Sequence, residues 1–219
     1  MQAQQTGFSI GQRYIGAGAG EGFYSIDQVP GNALGAYLDG ATIEAFCNAQ
    51  DATGDTMNDG EIIIHGSSGD ATGYAMRGGS IYIQRDAGYR CGIHMKEYQE
   101  KIPRIIIGGR CGSFLGEYQA GGTILVLGIG WEDRCPVGNF CGTGMHGGRI
   151  FLRTTHLPAD LPAQVVVSDA TEEDLTAIRP LIEKFCQHFG GEKDSLLSSH
   201  YYVLRPNTKN PYKQLYVNN

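Results

Sequence analysis

Gly16, Gly35, Gly54, Gly73 and Gly92 stand 19 residues apart without exception, and Gly116 and Gly142 keep the phase once insertions of five and seven residues are admitted. A fixed period of this length marks a repeat architecture, in which one short unit stacks on the next. Neighbouring columns obey the same alignment. Four residues before the repeat glycine stand Gly31, Gly69, Gly88, Gly112 and Gly138; five residues after it stand Gly40, Gly78, Gly121 and Gly147. Eight residues after it the column reads Tyr24, Ile43, Ile62, Ile81, Ile105, Ile124, Ile150, and ten after it Ile26, Ala45, Ile64, Ile83, Ile107, Val126, Leu152, with Ile105 and Ile107 shifted by the five-residue insertion.

Apolar residues two apart, as in Ile62 and Ile64, point to one side of a short strand. A strand of three to five residues cannot bury that face alone, so successive units must share a core. Glycines at fixed phase supply the bends. The expected fold is an all-β solenoid, a parallel β-helix of about seven coils, each pairing with the next about 4.8 Å away. The column before the repeat glycine (Ile15, Leu34, Thr53, Thr72, Cys91, Leu115, Cys141) and the column three after it (Ala19, Leu38, Met57, Met76, Met95, Gln119, Met145) read as interior filling. Methionine at one fixed phase, in four of the seven coils, fits core packing better than a metal pocket. Cys91 and Cys141, two coils apart, are too distant for a disulfide and read as buried hydrophobes.

Beyond Arg153 the repeat stops. Val165-Val166-Val167 looks like a last strand. Thr171-Glu172-Glu173-Asp174 then opens a helix whose apolar residues, Leu175, Ile178, Leu181, Ile182, Phe185 and Phe189, recur at helical spacing up to Gly190-Gly191. The expected division is a β-helix domain over 1–167 and, over 168–219, a helix that caps the open end of the solenoid plus an extended arm from Tyr201 to Asn219.

Composition narrows the functional classes. The 33 glycines are about twice the usual share, yet 41% hydrophobic residues and only 8 prolines exclude collagen and a disordered glycine-rich chain. A formal charge of −6 argues against nucleic acid or an anionic membrane as partner. With no stretch of about 18 apolar residues and no leader-like start, the expected location is the cytoplasm.

Chemical motifs are sparse. Gly7-Phe8-Ser9-Ile10-Gly11 matches G-x-S-x-G formally, which makes Ser9 a candidate esterase nucleophile, but polar residues precede it and a strand-like Arg13-Tyr14-Ile15 follows where a helix is required. The run from Gly16 to Gly22 fits neither G-x-G-x-x-G nor a Walker lysine. Six histidines and six cysteines show no ligand spacing, so neither catalytic, cofactor-binding nor metal residues are assigned. The densest polar cluster surrounds the first insertion and supplies candidate docking residues: Arg90, His94, Lys96, Glu97, Tyr98 and Glu117. Loops leaving a rigid scaffold usually bind something, whereas pairing of these charges across neighbouring coils is the structural alternative; the residues leave both open.

The segments Gly88-Tyr89-Arg90-Cys91-Gly92-Ile93-His94-Met95, Gly116-Glu117-Tyr118-Gln119-Ala120-Gly121-Gly122 and Gly142-Thr143-Gly144-Met145-His146-Gly147-Gly148 resemble the G-x-x-G-x-x-x-G (GXGXG) repeat domain of the glutamate synthase large subunit, especially its stand-alone form, glutamate synthase domain 3. The resemblance covers about residues 10–153 and extends to Asn210-Pro211-Tyr212; the repeat-bearing subunit of formylmethanofuran dehydrogenase is more distantly similar. It implies a right-handed β-helix acting as a non-catalytic structural and coupling subunit. The glutaminase, FMN and iron–sulfur clusters would sit on partner chains. N-methylglutamate synthase-like or formylmethanofuran dehydrogenase-like complexes are the alternatives. Exposed coil ends would also permit a homo-oligomer.

Overall fold

In the computed structural model, which describes residues 4–207, each 19-residue unit contributes one short strand to a common sheet. The strands are β1 (Gln4–Gln5), β2 (Phe23–Ile26), β3 (Asp39–Ala45), β4 (Asp59–Ile64), β5 (Ser80–Ile83), β6 (Arg104–Ile107), β7 (Ala120–Val126), β8 (Gly147–Arg153), β9 (Val165–Asp169) and β10 (Tyr201–Pro206), with helices α1 (Glu172–Phe189) and α2 (Lys193–Leu197) between the last two. Strands β1 to β8 are parallel and lie in chain order. The isoleucine column is the register itself, with Ile43 opposite Ile62, Ile62 opposite Ile81, Ile81 opposite Ile105, and so on to Ile150. The result is a β-helix-like arrangement of parallel strands.

Side chains alternate across each strand, so the sheet separates two cores. The inner one holds the predicted columns, including Met57, Met76, Met95, Cys91 and Cys141, all essentially inaccessible. Gln119, in the methionine column, is equally buried and donates through Nε2 to the carbonyls of Gly121 (3.1 Å) and Gly122 (3.2 Å). On the outer face the residues between the isoleucines form a second apolar column, in which Ile63, Tyr82, Ile106, Leu125 and Phe151 are register partners.

That outer column settles where the helix goes, and it is not where the sequence places it. Ile178, Leu181, Ile182 and Phe185 of α1 pack against Tyr82, Ile106, Leu125 and Phe151, each buried apolar side chain contributing roughly 1.5–3 kcal/mol. The helix therefore covers the flank of the sheet, not its open end. The end is closed by β10, antiparallel to β8, and by β9, antiparallel to β10. Leu204 of β10 enters the inner core, and Val165 and Val167 of β9 pack against it. The expected arm thus begins as a sheet strand; its residues 208–219 lie outside the described region. Strand β9 runs across position 167 within the same sheet.

The predicted helix start is correct in detail. Thr171 is the N-cap, its Oγ1 accepting from Asp174 N (3.2 Å) while Asp174 Oδ2 accepts from Thr171 N (3.1 Å). Gly190, at φ 77°, ends the helix. Pro180 removes a donor from the interior, yet the helix runs on to Phe189 with its apolar face seated on the sheet.

A candidate docking ridge

Opposite the strands, every unit turns a corner around its repeat glycine. In the second unit Ala36 N donates to Ala33 O (3.2 Å) and Leu38 N to Gly35 O (3.1 Å), two consecutive turns in which the third residue has positive φ. Between units, Gly35 N donates back to Ile15 O (2.8 Å), whereas Ala33 N and Tyr37 N donate forward to Asp51 O (2.9 Å) and Asp55 O (2.8 Å). The corners are therefore hydrogen-bonded in both directions along the stack.

This geometry imposes positive φ at three positions per unit: the repeat glycine, the residue two before it and the residue two after it. The glycine needs its position for a second reason. A Cβ built on Gly35 would stand 2.6 Å from Ile62 Cδ1 of the next unit. The flanking positions accept side chains, and most of these face outward, Ala33 and Thr56 being buried. Among the described residues, twelve of the thirteen non-glycine residues at positive φ occupy them, Gln99 being the exception. Bulky residues are unusual there, and such strain is of order 1–3 kcal/mol each. Tyr14, Tyr37, Phe114, Tyr118 and Phe140 nevertheless occupy these positions, and all but Phe114 are largely exposed.

The aromatic rings run along the ridge in two rows. Tyr74 meets His94 edge-on (centroids 5.9 Å) and His94 stacks on Tyr118 (5.2 Å); Phe114 packs on Phe140 (4.9 Å) and on Tyr89 (5.3 Å). The Arg90 guanidinium lies 5.2 Å from the Tyr89 centroid and 5.5 Å from that of Phe114, while its Nε is 3.3 Å from Glu117 Oε2. His94 N donates to Glu117 O (2.9 Å).

Three of the six residues singled out in the sequence, Arg90, His94 and Glu117, thus meet on the ridge. Arg90 and Glu117 pair across units, on a surface that is also aromatic and exposed. The other three lie elsewhere. Glu97 Oε1 accepts from Gly122 N (2.9 Å), binding two units together. Tyr98 is exposed on a hairpin that it closes with Lys101. Lys96 is exposed between ridge and hairpin, its backbone N bonded to Met76 O (3.0 Å). Sequence reasoning does not single out Phe114, Tyr118, Phe140 and Tyr74. Their signal is nonetheless present, since they flank the repeat glycine by one or two positions in columns adjoining interior ones. Ser9 is exposed in a turn, its N donating to Gln12 Oε1 (3.2 Å), with no helix following. The strand–turn–helix context of a nucleophile elbow is absent.

The profile of the GXGXG motif family matches residues 3–209, almost the whole length. The chain belongs to the GXGXG motif family. Among curated proteins, this GXGXG chain is 43% identical over 216 residues to an uncharacterized protein of Methanocaldococcus jannaschii, covering 95% of this chain and 83% of that protein. Among solved structures, it is similar to a chain in the formyltransferase/hydrolase complex of Methylorubrum extorquens in complex with methylofuran, with a TM-score of 0.66 and 24% identity over 90% of this chain and 70% of that one. At that identity the likeness speaks for the fold. Among the described residues of the GXGXG chain, no helix is long and apolar enough to cross a membrane.

Proposed function

We propose that this GXGXG protein is a non-catalytic scaffold and coupling subunit of a glutamate synthase-like oxidoreductase complex, docked by its aromatic ridge against a glutaminase chain and an FMN-binding, iron–sulfur synthase chain in the cytoplasm. In this reading seven repeats form a right-handed parallel β-helix over 1–167, residues 168–219 complete it, and catalysis resides on the partners. The observation that carries it is the ridge. Exposed Tyr, Phe and Arg, residues enriched at protein interfaces, are held at backbone positions where glycine would be less strained. The solved relative's membership of a multi-chain complex supports the same role.

That relative also favours a second reading, a scaffold of a formyl-transfer complex. Affinity purification of the tagged chain from its native cell separates the two. Glutaminase and flavoprotein subunits are expected; formyltransferase subunits would favour the second reading, and recovery of the chain alone under gentle conditions would sink both. Tyr118→Ala and Phe140→Ala should weaken capture of the partners about tenfold or more while leaving the melting temperature nearly unchanged. Retention of the partners by the double variant would remove the ridge from the interface.

A further inference from the structure

The 19-residue spacing first breaks between Gly92 and Gly116, and the extra residues build one wall of a groove of about 470 Å³. They form a tight hairpin, Tyr98 N donating to Lys101 O (3.2 Å) and Lys101 N to Tyr98 O (3.0 Å). Lys101 straps the hairpin over earlier units, its Nζ 3.3 Å from Asp39 Oδ1 and 3.1 Å from Asp59 Oδ2. The floor is a polar column on the outer face of the sheet, where Thr42, Glu61, Ser80 and Arg104 are register partners on β3 to β6. The other wall is Lys184 of α1, whose Nζ lies 2.5 Å from Glu61 Oε1.

The charges in this groove are unequally committed. Lys101 is neutralised by Asp39 and Asp59, and Lys184 by Glu61. Burial would raise the Glu61 pKa, but His188 and Lys184 outweigh it and hold the group below the usual carboxylate range, so it stays ionised. Two groups lining the groove make no ion pair and no side-chain hydrogen bond among the described residues: the Arg104 guanidinium and the Glu100 carboxylate. One uncommitted fork of donors and one uncommitted acceptor suit a dipolar ligand. A simple anion would leave Glu100 facing like charge, and a simple cation would do the same to Arg104. The volume lies in the range of small-molecule sites.

We propose that the groove binds a free α-amino acid as its zwitterion, the carboxylate held by Arg104 and the ammonium by Glu100, with the Ser80 and Thr42 hydroxyls beside them. The proposal does not depend on the docking ridge, which lies on a different face. Saturation-transfer NMR on the full chain, with each of the twenty common amino acids and with propionate and ethylamine as single-charge probes, tests it. At least one amino acid should bind more tightly than either probe. Arg104→Gln and, on the exposed hairpin, Glu100→Gln should each weaken binding about tenfold with little change in melting temperature. Absence of binding by all twenty, binding that survives both substitutions, or propionate binding as tightly as the best amino acid would overturn it.

Discussion

Gly92→Val should cost about 3–5 kcal/mol of folding stability in urea titration, one of the two largest losses expected from any single change here. Gly92 sits at φ 67°, and a Cβ on it would stand 2.6 Å from Ile124 Cδ1 of the next unit and 3.4 Å from Ile105 Cδ1. Forcing a β-branched residue into the left-handed region costs about 1–3 kcal/mol, and overpacking a filled core about as much again. The milder Gly92→Ala should lose less but still lose. Ala52→Gly is the informative contrast. Ala52 occupies the outward position two before a repeat glycine at φ 57°; glycine there relieves backbone strain while loosening the unfolded chain, so the net change should stay within about 1 kcal/mol. A Gly92→Val protein that loses no more than Ala52→Gly would mean that the isoleucine does not seat on the glycine.

The second large effect concerns the helix. Asp174 is only 2% exposed, yet it receives Arg205 Nη2 at 2.5 Å, has Arg149 Nη1 at 3.5 Å, and closes the capping box with Thr171. Asp174→Ala removes a cap worth about 1 kcal/mol and a charge-assisted bond worth about 1.5–3, so about 3 kcal/mol is expected at neutral pH. The pH dependence has a definite sign. Burial alone would raise the Asp174 pKa, but Arg205 and Thr171 more than compensate and hold it below the ordinary carboxylate value. The group's contribution is therefore complete above the unfolded-state pKa of about 3.9 and disappears as pH falls through the lower folded value. Thermal melts of the wild type and Asp174→Ala between pH 7 and pH 2 should converge at the acid end. A gap that stays constant with pH would refute the ionic origin.

What could be read in advance follows from which side of the backbone the sequence advertises. The inner columns were legible because each keeps small or aliphatic side chains at a fixed phase, isoleucine in most units of one and methionine in four of the seven of another. The same period carried the strand register. The outer column was harder to see. Ile63, Tyr82, Ile106, Leu125 and Phe151 differ in kind, and they share their strands with polar groups such as Glu61, Ser80 and Arg104. Unrecognised, that apolar flank left α1 with no surface to cover except the end of the stack, where β9 and β10 lie instead. On the ridge, charge drew notice to Arg90, His94 and Glu117. Positive φ at Phe114, Tyr118 and Phe140 is a property of the hydrogen-bonded corner and emerges only once the units stack.

The order of synthesis gives the flank a further meaning. Units along β2 to β8 pair in the sheet only with the units just before and just after them in the chain, so they can assemble in sequence as they are translated. Tyr82, Ile106, Leu125 and Phe151, however, wait for a helix that ends at Phe189. At translation speeds of about 5–20 residues per second, the first of them stays uncovered for roughly 5–20 s. During that interval a half-made chain presents a water-facing strip of apolar strands, open to chaperones or to other nascent copies. Truncations that keep every repeat but lose α1 should therefore precipitate, although each unit they contain is intact.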